Sequence, residues 1–526
     1  MIRKLPVGIQ GFVKLRTDNF LYVDKTECIY RLVHNNVPYF LSRPRRFGKS
    51  LLLSTMKAYW EGKKELFQGL AIEKLELGNA EAWKKYPVFY FDFNGTNYSE
   101  NGALEQKLSF ILQGLEEEYH VEKEDNSLDE RFVNLLKIAN ESTGLRCVIL
   151  VDEYDKPLLD VIDNKDIQEH NKRVFKGFFS NLKSCDEYIQ FIFITGVSKF
   201  HKVSIFSDLN QLRDISLDED FATLCGLTEK EIRDNFQPEI KALADRQEMS
   251  EVECLENLKK NYDGYHFHQG GEGVYNPYSV LSALFSKDFG AYWFETGTPT
   301  FLIKNVKESS FDLRKFTNRT IYTNEAVLKG YTGDILDLVP LLYQTGYLTI
   351  ADFDRTDREY TLTFPNDEVK YGFMQSLMPE YVGNCGSGSG LDIFTLRRYV
   401  KDGDLDNIRN VLTGLFANIT YTPESDPFEH YFQAVIYLVF TLLGQYAACE
   451  MHTFTGRIDC VLEAANYIYI FEFKRDDTAD AALKQIEDNR YALPFTADPR
   501  KLFKIGVAFD SEKRMLSEWK VLEEKR

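Results

Sequence analysis

The sequence predicts an α/β protein built on a parallel sheet, followed by helical and small mixed modules and then by a second α/β domain. Three observations carry this. Short apolar runs at 37–41, 87–93, 145–151 and 189–195 alternate with helical stretches near 49–61, 104–118, 128–140 and 167–183. Such alternation is the pattern of a parallel sheet with crossover helices. Residues 383–390, Gly-Asn-Cys-Gly-Ser-Gly-Ser-Gly, form a flexible composition that separates this part from the rest. Beyond it, two apolar strand-like runs carry charged residues at alternate positions.

Bulk properties narrow the classes. At 526 residues the chain exceeds one core. A net charge of -18 argues against a protein that coats nucleic acid non-specifically, because that affinity comes from Lys and Arg neutralising phosphates. The eight cysteines show no C-x-x-C spacing and several sit in apolar runs, which suits reduced thiols and a cytoplasmic setting. The first six residues contain no apolar signal segment, and the longest apolar stretch, 434–443, is too short for a bilayer, so no membrane partner is expected.

Taken in order, Tyr22-Val23-Asp24-Lys25-Thr26 reads as a strand passing into a helix, with Asp24 or Thr26 as N-cap and Lys25 as a surface lysine. Next comes Ser42-Arg43-Pro44-Arg45-Arg46-Phe47-Gly48-Lys49-Ser50, between an apolar strand and a helix. Strand, tight loop, Gly-Lys-Ser and helix form the context of a phosphate-binding loop. Amides at the helix N-terminus would bind phosphate oxygens, Lys49 would reach the β- and γ-phosphates, and the Ser50 hydroxyl would ligate Mg²⁺. The pattern departs from G-x-x-x-x-G-K-[ST] at its first glycine, where Arg43 stands, followed by Pro44, which has no N–H. Arg43, Arg45 and Arg46 are the side chains that would replace the missing backbone donors.

Two later strand ends extend the site. The run 147–151 ends in Asp152-Glu153. Asp152 would hold Mg²⁺ and Glu153 would polarise the attacking water. The run 189–195 delivers Thr195 and Ser198 to the same edge, as a γ-phosphate sensor would require. A solvated strand exit is the plainer alternative for the acids, and a turn or cap for Thr195. Their order after the loop favours a nucleotide site. Arg173 and Arg213 are the candidates for an arginine finger.

Residues 226–300 read as a helical lid that opens with a capping box at Thr228 and Glu231. His266 and His268 alternate along a strand-like run, and a structural role fits them better than a metal. Residues 301–382 read as a winged-helix-like module, with a helix before 345 and a two-stranded wing after it. Its few basic residues favour internal packing over DNA binding.

In 391–526 an apolar helix follows Phe428-Glu429-His430-Tyr431, and two strands cover Gly456–Leu462 and Tyr467–Lys474. Pairing Glu463 with Ile468 sets Asp459 opposite Glu472, with Lys474 on the same face as Glu472. Two carboxylates suit Mg²⁺. Lys474 would orient water, Glu429 would complete the metal shell, and Gln485 on the next helix would hold Lys474 or a phosphate.

Asp459 with Glu472-Phe473-Lys474, an upstream Glu and a downstream Gln resembles the PD-(D/E)xK nuclease superfamily. Tyr22-Val-Asp-Lys-Thr26, the Arg-Pro-Arg-Arg-Phe-Gly-Lys-Ser loop, Val151-Asp-Glu-Tyr-Asp155 and Thr195-Gly-Val-Ser-Lys199 make the first 380 residues similar to the AAA-ATPase-like family of bacterial proteins that carry such a nuclease domain. The resemblance implies a P-loop sheet (1–225), a helical lid (226–300), a winged-helix-like domain (301–382), a linker (383–390) and a restriction-endonuclease-like domain (391–526). It implies ATP and Mg²⁺ as cofactors, DNA as partner, and a role tied to defence or mobile DNA. It makes the missing glycine a family trait, and it leaves homo-oligomerisation and ATP turnover open. The functional expectation is nucleotide-controlled phosphodiester hydrolysis. The alternative is a nucleotide-switched regulator that binds DNA or protein without cutting.

Overall fold

The computed structural model describes residues 4–35, 37–122, 126–200, 212–295, 300–309, 311–317, 321–330, 338–382, 393–417, 428–443, 447–448, 452–453, 456–457, 460–510, 512–513 and 515–524. The chain divides into two compact units, Met1–Gly297 with Arg319–Val369, and Thr298–Asn318 with Lys370–Arg526.

The first unit is organised by a parallel sheet of β1 (Tyr39–Ser42), β2 (Val88–Asp92), β3 (Cys147–Asp152), β4 (Ile189–Gly196) and β5 (Arg213–Asp214), in the order β2-β3-β4-β1-β5. Every residue of β3 is buried, as expected for a strand covered on both faces. The helices Lys49–Trp60, Ala103–Glu118, Leu128–Thr143 and Lys165–Ser180 supply the cover. Because β1 lies between β4 and β5 while its successor β2 sits at the far edge, the strand order reverses beside β1. Ligands collect at such a switch point, at the carboxyl ends of the strands. The two-residue β5 has no readable signal in the sequence.

A helical module follows. Thr228 caps Glu229–Asn235 in a capping box with Glu231, and the helices Gln237–Arg246, Glu251–Tyr262 and Pro277–Ser286 share one apolar core. Lys25 is not the surface lysine its context suggests: its ammonium donates to the Thr223 carbonyl at 2.8 Å and pairs with Glu231 at 2.7 Å. Lys25 itself occupies the N-cap position of Thr26–Val33, and Asp24 accepts from the Thr26 N–H at 2.8 Å. The ring Nδ1 of His266 lies 3.1 Å from the Gly271 carbonyl. The expected wing is β7 (Thr349–Asp354) with β8 (Glu359–Thr363), and β6 (Ile321–Thr323) adds a third antiparallel strand in the order β6-β8-β7.

The second unit holds a mixed sheet. Besides β9 (Ala447–Ala448) and the small pair β10 (His452–Thr453) and β11 (Gly456–Arg457), it has β12 (Cys460–Glu463), β13 (Tyr467–Arg475), β14 (Lys501–Asp510) and β15 (Met515–Glu524). The order is β15-β14-β13-β12-β9, with β13 and β14 parallel and the other pairs antiparallel. The compact units and the expected domain limits cut the chain in different places. The helix Thr300–Glu308 belongs with the second unit, where the Lys307 ammonium donates to the Glu380 carbonyl, while β6 to β8 belong with the first. The expected linker lies outside the described residues.

Candidate functional site

The loop after β1 makes a cleft. Gly48 takes φ 91°, a left-handed conformation that glycine adopts without steric cost, and caps Lys49–Trp60. The cleft has a volume of about 490 Å³. Arg45, Arg46, Gly48, Lys49 and Ser50 line it from the loop, Glu153 and Lys156 from beyond β3, and Tyr278 from the helical module. Arg46 and Glu153 take positive φ values of 67° and 50°. Each costs roughly 1–2 kcal/mol for a side chain that is not glycine. Such strain collects where the backbone serves a site.

The predicted residues take distinct places around this cleft. Lys49 is buried and its ammonium donates to the carbonyls of Arg43 and Pro44 at 3.0 and 3.1 Å, closing the loop on itself. Arg45 Nη2 is buried with no hydrogen-bond partner among the described residues, and Arg46 lies 4.7 Å from the Tyr278 ring. Glu153 has its carboxyl raised above the usual range, chiefly by burial and also by Asp152, against the lowering effect of Lys49. Phe47 turns away from the polar side. Its ring packs edge-on to Tyr265 and Phe267, and it lines an adjoining apolar pocket with Leu21, Tyr22 and Val23.

Three residues are placed differently from expectation. Arg43 is 1% exposed and turned inward. Its guanidinium donates to the carbonyls of Ser42, Ser216 and Phe221 and lies 4.0 Å from the Phe267 ring, so its charge is spent on the interior. Thr195 is 0% exposed and donates its hydroxyl to Asp152 Oδ1 at 2.8 Å. Neither Thr195 nor Asp152 is among the residues that line the cleft. Ser198 donates its N–H and hydroxyl to Asp155 Oδ2 at 2.6 and 2.8 Å. Asp155 is the residue that sequence reasoning passed over: a buried carboxylate that also accepts the Val197 N–H and so ties the acidic strand end to the end of β4. Its signal was its place three residues after Asp152, in a motif already noted for other reasons. Neither finger candidate lines the cleft: Arg213 pairs with Asp218 at 2.6 Å, and the exposed Arg173 donates to the Glu169 carbonyl.

In the second unit, β12 and β13 pair in the register Glu463↔Ile468 through Cys460↔Phe471. Glu472 and Lys474 follow on one face of β13. Glu472 is 2% exposed, and Lys474 Nζ donates to Glu472 Oε1 at 3.2 Å and to Gln485 Oε1. A glycine makes this meeting feasible. Gly506 pairs with Glu472, and a Cβ there would fall 2.3 Å from the Ala479 carbonyl oxygen. Its bare backbone lets the helix Ala479–Asp488 lie directly on the sheet, which brings Gln485 over Lys474. Gln485 is steadied by the Tyr491 hydroxyl at 3.4 Å. Asp459 lies outside the described residues, as does the side chain of Glu429. The helix Phe428–Leu443 that carries Glu429 lays Phe440 on Phe471 and Phe473, the face opposite Glu472. Among the described residues no three His, Cys, Asp or Glu side chains gather as a metal site, and no helix is long and apolar enough to cross a membrane.

The donor sets can be tested against the groups they would hold. The first cleft offers an unpaired buried guanidinium nitrogen, a helix N-terminus, an ammonium and a hydroxyl, which fits a polyphosphate. An apolar pocket lies beside it. The second offers carboxylate and amide oxygens with one ammonium, a set that suits a hard cation over a soft one.

Residues 6–206 match the family described as Predicted AAA-ATPase, and residues 427–519 match the PD-(D/E)XK nuclease superfamily. A protein of Azotobacter chroococcum mcd 1, described as the uncharacterized protein in the vnfD 5' region, is 34% identical over 531 residues, covering 97% of each chain. The ORC2 protein of Aeropyrum pernix, solved as ADPNP and ADP complexes, aligns with a TM-score of 0.26 and 9% identity, over 69% of this chain and 97% of that one.

Proposed function

Because the chain belongs to the predicted AAA-ATPase family and ends in a PD-(D/E)XK nuclease-superfamily domain, we propose that it binds ATP and hydrolyses phosphodiester bonds of DNA under nucleotide control. The observation that carries the nucleotide half is the charge of the first cleft. Arg45, Arg46, Lys49 and Lys156 line it against the single carboxylate of Glu153 among the described lining residues. A phosphate chain would supply the missing anions. Lys49 would then exchange its carbonyl partners for phosphate oxygens. Ser50 and Asp152 would hold Mg²⁺, with Asp152 kept in place by the Thr195 hydroxyl. Glu153, its proton affinity raised by burial, would orient the attacking water.

In the second unit Glu472, with Asp459 and Glu429, would hold Mg²⁺. A metal held by these residues would supply charge neutralisation at the scissile phosphate and a more acidic bound water. Lys474, steered by Gln485, would orient the nucleophilic water and offset the negative charge that builds on phosphorus.

The test incubates linear, circular and single-stranded DNA with the full chain and Mg²⁺ or Mn²⁺, with and without ATP, alongside Lys474→Ala. Metal-dependent cleavage that ATP alters and the variant loses is the expected result. Binding of ATP and DNA with no cleavage under any condition would replace this reading with that of a nucleotide-switched regulator.

A further inference from the structure

Arg43, which stands at the missing first glycine, and Pro44 and Arg45 after it are each held from outside the loop. Arg43 is anchored by main-chain carbonyls as far along the chain as Phe221. Pro44 presses on Gly346, where a Cβ would fall 2.6 Å from Pro44 Cβ. The Arg45 carbonyl accepts the indole N–H of Trp293 at 3.1 Å, and the Arg45 guanidinium lies 5.2 Å from the Trp293 ring. Trp293 is 0% exposed, and its backbone N–H donates to Glu368 Oε1 at 2.7 Å. The other oxygen of Glu368 accepts the Ser279 hydroxyl at 2.7 Å. One buried carboxylate thus joins the helix Pro277–Ser286 to the tryptophan that grips the loop.

Arg45 is among the residues that line the cleft, and its Nη2 is buried without an acceptor among the described residues. A buried donor with no acceptor is costly, and native structures keep few of them without a purpose. Holding the main chain of Arg45 at the carbonyl and its side chain at the ring restricts where that nitrogen can go.

We propose that Trp293 and Glu368 are positioning residues for phosphate recognition: Glu368 fixes Trp293, Trp293 fixes Arg45, and Arg45 presents its unpaired N–H to the nucleotide. The proposal rests on the nucleotide reading above. In this loop, partners hundreds of residues downstream do the shaping that a first glycine does elsewhere.

The experiment measures ATP binding to the full chain by titration calorimetry and, in parallel, by tryptophan emission. Trp293→Phe keeps a ring under the guanidinium and removes the indole donor. Its expected effect is a loss of ATP affinity of roughly three- to tenfold, the scale of one net hydrogen bond. Glu368→Ala is expected to lose a similar factor, and Glu368→Gln, which retains an acceptor for the Trp293 N–H, to remain within about twofold of the parent. ATP should shift the tryptophan emission of the parent and of Glu368→Gln, and the shift should vanish in Trp293→Phe while calorimetry still registers binding. In an Arg45→Ala background Trp293→Phe should cost no further affinity, an outcome that a purely structural role would not produce. Parental affinity in Trp293→Phe, or equal losses with and without Arg45, would overturn the proposal and leave the nucleotide reading standing. Absence of ATP binding in the parent chain would overturn both. Should Glu368→Ala fail to fold, the Trp293→Phe and Arg45→Ala cycle decides alone.

Discussion

Among the described residues four cationic side chains line the amino-terminal cleft with one carboxylate, whereas at the carboxy-terminal site Lys474 is already matched by Glu472 and Gln485. On the function proposed above, the contrast would follow from the charge each site receives. A cleft that takes a polyphosphate keeps cations in excess, and it tolerates even a buried donor with no acceptor, Arg45 Nη2. A site that takes a metal and a phosphodiester keeps a buried carboxylate with an ammonium beside it, because an unpaired carboxylate out of water is costly. The frameworks differ as well. The cleft is shaped by residues far apart in sequence, and the second site by two neighbouring positions on one strand and one helix pressed on a glycine.

Four measurements would break or sharpen this comparison. The largest effect belongs to Lys474→Ala. Removing the ammonium beside Glu472 should lower phosphodiester cleavage by about 10²- to 10³-fold, the scale of one transition-state donor, with ATP affinity unchanged. Nuclease assays beside calorimetry read both, and a simultaneous loss of ATP binding would show that the two sites are not separable. Lys49→Ala comes next. Losing a charged donor to phosphate is worth about 1.5–3 kcal/mol, so ATP affinity should fall by roughly 10- to 150-fold. Unchanged affinity would mean that the cationic excess of the cleft serves something other than phosphate.

Gly506→Ala tests the glycine on which the second site rests. The added methyl meets the Ala479 carbonyl, and overpacking of this kind costs about 1–3 kcal/mol. The thermal midpoint of the second unit should drop by several degrees while ATP affinity stays at the parental level. An unchanged midpoint would show that the helix moves aside freely.

The smallest effect is in pH. Burial raises the Glu368 carboxyl from 4.5 to about 7, with hydrogen bonds from Ser279 and the Trp293 and Phe294 amides opposing. The folded state therefore holds this proton over a range where the unfolded chain has released it. Its stabilising contribution is complete below pH 4.5 and is lost as the pH rises through about 7. Glu368→Gln lacks that slope, so the parent should lose midpoint relative to the variant between about pH 5 and 8 in thermal scans. Parallel curves would remove Glu368 as a titrating group.

Much of this was legible in the sequence, and the legible part is local. The apolar run ending at Asp152, the Gly-Lys-Ser step from strand to helix, and the spacing of Glu472 and Lys474 each state a conformation within a few residues, because strand and helix periods write themselves into neighbouring positions. That was enough to read the α/β class, the strand-loop-helix step around Gly48, Lys49 and Ser50, and the shared face of Glu472 and Lys474. The inward turn of Arg43, the service of the Thr195 hydroxyl to Asp152, and the grip of Trp293 on Arg45 join residues 43 to 248 positions apart. A buried hydrogen-bonding group settles on whatever partner the packed core brings near, and no local pattern records which one that is. By itself the sequence determined the elements and the chemical types at their ends. The tertiary structure decided which charges were paired inside the fold and which, like Arg45 Nη2, were left without an acceptor among the described residues.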